Sequence, residues 1–354
     1  MAGRRRKRID PAVFQLPVEA IRNGEFSDPS SRRARDLLSR EPQPTVLLQF
    51  AAEHEGVVGG VDEAIAILRL GAPDWNELSV QALFDGDRVE SWETVMTVEG
   101  PYTSVAHLEK LCVGVLARRT RVCTGARLLA DAARSKPILL FPGRHDHYLM
   151  HPGDLMAAQV GGVILLWGDR PAALRAVVPP LALVVHSFIA AIGGSTSDAA
   201  RRFAEAREPR TGIVVPVDFE NDAVHTSVEV ASALEGRLWG VWLGTPDTLV
   251  DRSIIPEMGT FPPTGVNPQL VWNVRNALDA EGYGEVKILV AGGLTAERIF
   301  AYEEDGVPVD AYGIGSTGLS ARAAFAADIV LVDGKPVARA GRALRPNSRM
   351  ERVK

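Results

Sequence analysis

Sulfur, aromatic residues and long uncharged runs are all scarce in this chain, and each scarcity removes a class of function. Only two cysteines, Cys112 and Cys123, occur in 354 residues. Their spacing is that of neither a metal-ligand pair nor a disulfide framework, so a reducing, cytoplasmic setting is the simplest expectation. The longest uncharged stretch, 176–197, is broken by Pro179-Pro180 and carries His186 and a Gly/Ser-rich end. A continuous spanning helix is not expected there, and no membrane partner is read. Basic excess is missing too: the net charge is −5, which gives no global field for a nucleic-acid partner. The cluster Arg4-Arg5-Arg6-Lys7-Arg8 lacks the apolar run of a secretory signal and reads as a solvated, frayed tail. No repeat of constant period occurs.

What is present suits a globular chain with a sizeable core, since 46% of the residues are hydrophobic and 23% charged. The length allows two domains, or one barrel with an added module. Over the first hundred residues short strands and helices mix. Strands are expected at 45–50 and 92–98, and helices at 60–70, 79–86 and 104–119, the last with Ser104 as N-cap. Beyond about Arg121 helix and strand alternate, the pattern of a parallel sheet or barrel. A helix at 124–133 precedes a strand at 137–141. Strands at 212–217, 238–243, 286–290 and 309–312 follow, with helices at 227–234 and 268–279 between them. The Pro/Gly-rich stretch 251–268 is a candidate functional loop. Asp333-Gly334 signals a hairpin.

In parallel α/β proteins the chemistry sits at the carboxyl ends of the strands, and polar residues collect there in this sequence. The strand at 286–290 ends at Gly292-Gly293. The next ends at Gly313-Ile314-Gly315-Ser316. Glycines at a strand end before a new helix allow close backbone approach to an anion, and free N–H groups at the helix start point at it. These turns are therefore a candidate phosphate site; tight turns alone are the plainer alternative. Arg144, His145 and His147 follow another strand, and Asp218, Glu220, Asn221 and Asp222 a further one. Carboxylates and amides there suit sugar hydroxyls or a hydrated divalent ion, and Arg118, Arg119 and Arg144 suit an anionic carboxylate or phosphate. His145 and His147 have no further ligand set, so no metal centre is assigned.

Motifs in fixed order from Val98 to Ser316 resemble the nicotinate phosphoribosyltransferases. They are V-E-G-P-Y ending at Tyr102, L-A-R-R-T-R-V-C-T ending at Thr124, F-P-G-R-H-D-H-Y from Phe141, V-D-F-E-N-D from Val217, T-L-V-D-R-S from Thr248, G-V-N-P-Q-L-V from Gly265, V-A-G-G-L from Val290 and P-V-D-A-Y-G-I-G-S from Pro308. The resemblance implies an α/β fold: an irregular (β/α) barrel of the type II phosphoribosyltransferase kind with an N-terminal α/β sandwich domain. The sandwich would comprise 1–118, joined by C-terminal strands of about 326–354, and the barrel 119–325. It also implies a reaction in NAD biosynthesis, nicotinate and phosphoribosyl pyrophosphate giving nicotinate mononucleotide and pyrophosphate. Mg2+ would assist, ATP hydrolysis is coupled in some members, and the active form would be a homodimer or larger homo-oligomer.

By the same resemblance Gly292, Gly293, Gly313, Gly315 and Ser316 would hold the 5′-phosphate, and Asp218 with Asn221 the ribose hydroxyls. Arg144 and His145 would face the nicotinate carboxylate and the pyrophosphate. Tyr102, Arg119, Thr120 and Thr245 would line the substrate, partly from a neighbouring subunit, and His186 would be the phosphorylated histidine. The chain departs from the pattern in three places. W-L-G-T stands for R-L-D-T, with Trp242 and Gly244 replacing arginine and aspartate. L-A-L-V-V-H replaces G-T-x-P-H before His186, and A-F-A-A-D replaces D-F-T-A-D at 324–328. Two other readings follow: a catalytically impaired or silent nucleotide-binding paralogue, and a quinolinate phosphoribosyltransferase.

Overall fold

The computed structural model describes residues 7–134, 136–141, 146–165, 181–208, 211–259, 261–319 and 321–354. The chain forms two compact units. One comprises residues 1–127, 149–161 and 319–354; the other comprises 128–148 and 162–318.

The first unit is built on a six-stranded antiparallel sheet. Its order is Lys335–Pro336, Phe325–Val332, Thr45–Ala52, Glu93–Pro101, Ser79–Ala82 and Glu351–Arg352. The C-terminal residues thus supply both edges of a sheet whose centre comes from the first hundred residues. Asp333 and Gly334, both at positive φ, make the tight turn that their sequence signals. Phe50, Leu48, Met96 and Val98 from the central strands meet Ile65 and Leu68 of the helix Val61–Gly71, and Leu108, Cys112 and Leu116, in one buried cluster. Cys112 and Cys123 are free and buried, and burial pushes the Cys123 thiol up to about 12. That keeps it a small apolar side chain rather than a nucleophile.

Three expectations fail here for identifiable reasons. The stretch 79–86 is not a helix: Ser79–Ala82 is a strand in which Val80 and Ala82 are buried while Gln81 is exposed. Its backbone partners come from Glu93–Pro101, so pairing with a distant strand overrides local propensity. The helices expected at 104–119 and 124–133 are one helix, Glu109–Ala132, and Ser104 lies inside the separate short turn Tyr102–Val105, capping nothing. Gly125 does not break the long helix. A Cβ there would stand 2.5 Å from the backbone of Leu319, so the residue provides close approach rather than a stop. Finally, the basic tail is not wholly frayed. Arg8 binds Asp62 and the carbonyls of Ala82 and Leu83, and its guanidinium lies over the Phe84 ring.

That anchor sits beside an acid pair. Asp85 accepts the N–H of Val61 at 2.7 Å and of Asp62 at 3.4 Å, which caps the helix start that Gly60 cannot cap. Burial first, and the charge of Asp62 second, push the Asp85 carboxyl from 3.8 up to about 7. The folded chain therefore holds a proton that the unfolded chain releases at lower pH. Stability from this group is present in acid and is lost as pH rises from about 4 through about 7. The midpoint of thermal unfolding is expected to fall across that window, and Asp85→Asn to flatten the slope. An equal slope in the variant would assign the effect elsewhere.

The second unit carries a seven-stranded, all-parallel sheet curled as an open barrel. Its order is Ile164–Leu165, Ile138–Phe141, Ala311–Gly315, Lys287–Val290, Leu238–Leu243, Gly212–Pro216 and Leu181–Leu183. The helices Ala223–Leu234, Pro268–Ala280 and Ala296–Glu304 connect successive strands. Each is capped by a side chain at its start, from Asp222, Asn267 and Thr295 respectively. Leu139, Val214, Leu289 and Ala311 form a buried cluster from four strands, with Phe141 and Trp242 packed against it. Among the described residues no helix is long and apolar enough to cross a membrane.

Candidate active site

The parallel sheet aligns all its carboxyl ends on one side, so residues far apart in sequence become neighbours there. After the strand Gly212–Pro216 comes Asp218, and after Leu181–Leu183 comes His186. Their side chains meet, with His186 Nε2 2.7 Å from Asp218 Oδ1. Asp218 is mostly enclosed, at 9% side-chain exposure, whereas His186 is 45% exposed. The imidazole therefore bridges a sheltered carboxylate and solvent, and Phe219 stacks beside it. Asn221 does not join them. It takes positive φ, donates through Nδ2 to Val250 O at 3.0 Å, and so fastens the following loop. Glu220 is engaged by the backbone N–H and hydroxyl of Thr196.

On the next strand, Leu238–Leu243, Trp242 is half-buried and stacks on Phe141 with ring centroids 4.4 Å apart. Gly313 makes room for this pair, since a Cβ there would lie 3.0 Å from the Phe141 ring. Gly313 is thus a strand-interior packing position. Gly315 ends the same strand, and Ser316 opens the turn Ser316–Leu319. Gly244 is a close approach: a Cβ there would stand 3.1 Å from both Asp218 Oδ2 and Trp242 Nε1. Thr245 is buried with its hydroxyl oxygen unpartnered.

After Lys287–Val290, Gly292 and Gly293 both adopt positive φ, 88° and 57°. Both are exposed, and among the described residues no acceptor takes their amide protons. A Cβ at Gly293 would stand 2.6 Å from Asp247 Oδ2, and Asp247 pairs with Arg298 at 3.3 Å. This open double-glycine turn, two residues before the Thr295 cap, has the geometry of an anion cradle. The sequence did not single out Arg298 or the Phe141–Trp242 stack. Both depend on contacts between strands that only the sheet order reveals.

The remaining expected residues lie elsewhere. Arg144 and His145 are outside the described residues. Tyr102, Arg119 and Thr120 belong to the first unit. Arg119 is enclosed, binding Glu63 through Nε at 2.7 Å and Asp154 through Nη1 at 2.5 Å. Thr120 Oγ1 exchanges hydrogen bonds with the backbone of Gly59. Tyr102 is half-buried, and burial raises its phenol pKa. No group of three or more His, Cys, Asp or Glu that could hold a metal ion occurs among the described residues.

Comparison with known proteins agrees with this architecture. Residues 33–120 match the family profile of the quinolinate phosphoribosyl transferase N-terminal domain. The chain is 26% identical over 254 residues to the nicotinate phosphoribosyltransferase pncB1 of Mycobacterium tuberculosis, covering 69% of this chain and 51% of that protein. It therefore spans about half the length of that relative. It is 23% identical over 312 residues to a probable nicotinate-nucleotide pyrophosphorylase (carboxylating) of Methanothermobacter thermautotrophicus, covering 86% and 90% of the two chains. The crystal structure of nicotinate-nucleotide pyrophosphorylase from Pyrococcus furiosus superposes with a TM-score of 0.77 at 26% identity, covering 95% of this chain and 84% of that one. The fold is that of the type II phosphoribosyltransferases. Within it, the chain is similar to both nicotinate phosphoribosyltransferases and nicotinate-nucleotide pyrophosphorylases.

Proposed function

We propose that this chain transfers the phosphoribosyl group of phosphoribosyl pyrophosphate to nicotinate. The pyridine nitrogen forms a bond to C1 of the ribose, the C1–oxygen bond breaks, and pyrophosphate leaves with the electron pair. The observation that carries this reading is the pairing of Asp218–His186 at one strand end with the open Gly292-Gly293 turn two strands away. Adjacent strands are about 4.8 Å apart, so the two features are separated by about 10 Å, the scale of a phosphorylated sugar.

Positive charge develops on the ribose as pyrophosphate departs, and the sheltered Asp218 carboxylate is suited to stabilise it. His186 orients that carboxylate. The amides of Gly292 and Gly293 would receive the 5′-phosphate. Mg2+ fits this arrangement as a partner of the pyrophosphate, because it needs only one or two carboxylates beside phosphate oxygens and water. The exposed Asp247 and the carboxylate of Asp218 are the side chains that would hold it. The ion would neutralise charge on the leaving group. Binding of the nicotinate carboxylate by Arg144 and His145, completion of the pocket by Tyr102, Arg119 and Thr120 in a homo-oligomer, and a cytoplasmic location belong to the same proposal. So does ATP coupling through His186, which requires the imidazole to exchange its Asp218 contact for a phosphoryl group.

The test is formation of mononucleotide by the purified chain from nicotinate or quinolinate, with phosphoribosyl pyrophosphate and Mg2+, with and without ATP. Nicotinate-dependent turnover supports the reading. Turnover of quinolinate with release of carbon dioxide would support the second reading, which the match over 33–120 favours. No turnover from folded protein would leave a silent paralogue. Within the active protein, Gly293→Ala is expected to raise KM for phosphoribosyl pyrophosphate about tenfold while changing KM for the base little. The left-handed backbone costs a side chain about 1 kcal/mol, and the added Cβ displaces Asp247. An unchanged KM for phosphoribosyl pyrophosphate would remove this turn from the phosphate site.

A further inference from the structure

The double-glycine turn has a cation and a carboxylate at its edge. Arg298 belongs to the helix Ala296–Glu304, whose cap, Thr295, follows the turn by two residues. Its guanidinium is fixed on one side: Nη2 donates to Val266 O at 2.5 Å, and the Tyr302 hydroxyl donates to the same carbonyl. Val266 is buried, and the neighbouring Gly265 N–H donates to Leu249 O at 2.8 Å, so this carbonyl is held by the backbone. On the other side Nη1 lies 3.3 Å from Asp247 Oδ1 and 3.5 Å from the position of a Gly293 Cβ. The Asp247 side chain is 60% exposed and stands between two glycines at positive φ, Gly265 and Gly293. A Cβ on either glycine would stand 2.6 Å from one of its carboxylate oxygens. The guanidinium is thus held by buried backbone along one edge and by an exposed, singly charged anion along the other.

We infer that Arg298 is the cationic arm of the phosphate subsite, and that Asp247 is a stand-in anion which a phosphomonoester displaces from it. The inference rests on the phosphoribosyltransferase reading above and adds to it a residue that fixes the 5′-phosphate. A phosphomonoester carries nearly two negative charges and three acceptor oxygens, so one seated at the Gly292 and Gly293 amides outcompetes a carboxylate for Nη1. The contact it replaces is exposed and screened by water, so the exchange costs little. Nη2 keeps its carbonyl throughout, and the charge therefore meets the phosphate already oriented. A side chain at 265 or 293 would push the carboxylate off the arginine, which accounts for glycine at both positions. Displacement also frees Asp247 for the Mg2+ of the pyrophosphate.

The experiment measures calorimetric binding of ribose 5-phosphate without Mg2+ and, separately, KM for phosphoribosyl pyrophosphate in mononucleotide formation. Arg298→Gln is expected to weaken ribose 5-phosphate binding about tenfold or more, the loss of one charge-assisted hydrogen bond. Asp247→Asn is expected to strengthen it about threefold, because the competing charge is gone. Arg298→Lys keeps the charge but cannot hold Val266 O and the phosphate at once, and is expected to fall between wild type and Arg298→Gln. The opposite signs are diagnostic, since loss of a merely structural ion pair would move both variants the same way. Asp247→Asn changes an exposed side chain, and it carries the test if Arg298→Gln does not fold.

Ribose 5-phosphate binding within about threefold of wild type in folded Arg298→Gln overturns the inference, as does weaker or unchanged binding by Asp247→Asn. So does wild-type protein that fails to bind ribose 5-phosphate at millimolar concentration. The expected pattern in binding, without mononucleotide formation from either base, sustains the inference while overturning the catalytic reading. Mononucleotide formation with an unchanged KM for phosphoribosyl pyrophosphate in Arg298→Gln overturns the inference and leaves the catalytic reading standing.

Discussion

Asp218→Asn is expected to lower kcat for mononucleotide formation by about 10²–10³-fold, with little change in thermal stability. The substitution keeps the shape and one hydrogen bond to His186 but removes the charge. Asp218 is enclosed, at 9% side-chain exposure, and its hydrogen-bond partner among the described residues is His186. A carboxylate in this setting interacts with a developing cation through little water, where electrostatic interactions are strongest. The loss should fall on kcat rather than on KM, because the positive charge exists only as the bond to pyrophosphate breaks. His186→Ala is expected to cost less, since it releases the carboxylate without removing it. A rate for Asp218→Asn within about threefold of wild type would exclude the carboxylate from the chemistry.

The largest expected effect on stability lies in the other unit. Arg119→Met should destabilise the protein by about 3–5 kcal/mol, the cost of breaking a buried ion pair from one side. Arg119, Glu63 and Asp154 have side-chain exposures of 9%, 12% and 10%, and Arg118 completes a neutral group of two cations and two anions through Asp154. Glycines line Arg119 along its length. A Cβ on Gly153 would overlap Arg119 Nη2, and Cβ atoms on Gly59 and Gly60 would stand 2.9 and 2.8 Å from Arg119 atoms. Replacing Arg119 alone strands the enclosed Glu63 and leaves Asp154 to Arg118 alone. Replacing Arg119, Glu63 and Asp154 together by Met, Leu and Leu should recover much of the loss, since no unpaired charge remains from the three. The readout is the midpoint of chemical unfolding, with KM measured on each variant that folds. A rise in KM with intact stability would instead make Arg119 a substrate contact.

These cases show which parts of the molecule were legible in the chain. The alternation of apolar strands with capped helices beyond Arg121 announced a parallel α/β unit, because burial on both faces leaves continuous apolar runs such as 288–290 and Leu238–Leu243. Gly292-Gly293 announced an open turn, since few other residues accept successive positive φ values. Asp333-Gly334 announced its hairpin for the same reason. Ser79–Ala82 was misread because its pattern is short and its partner strand lies elsewhere in the sequence. The long helix Glu109–Ala132 was split in reading at about Arg121, where the apolar pattern changes although the helix continues.

The sequence by itself determined the class of fold, the open double-glycine turn and the presence of Asp218 at a strand end, all of which follow from local backbone preference and apolar periodicity. Only the tertiary structure decided that His186 reaches Asp218, that Trp242 lies on Phe141 close against Gly244, and that the Arg119 guanidinium binds Glu63 and Asp154. Those facts depend on strand order and on packing between segments distant in the chain. Charge pairing, shelter from water and stacking are properties of neighbours in space, and it is the curled sheet and the crossing helices that choose the neighbours.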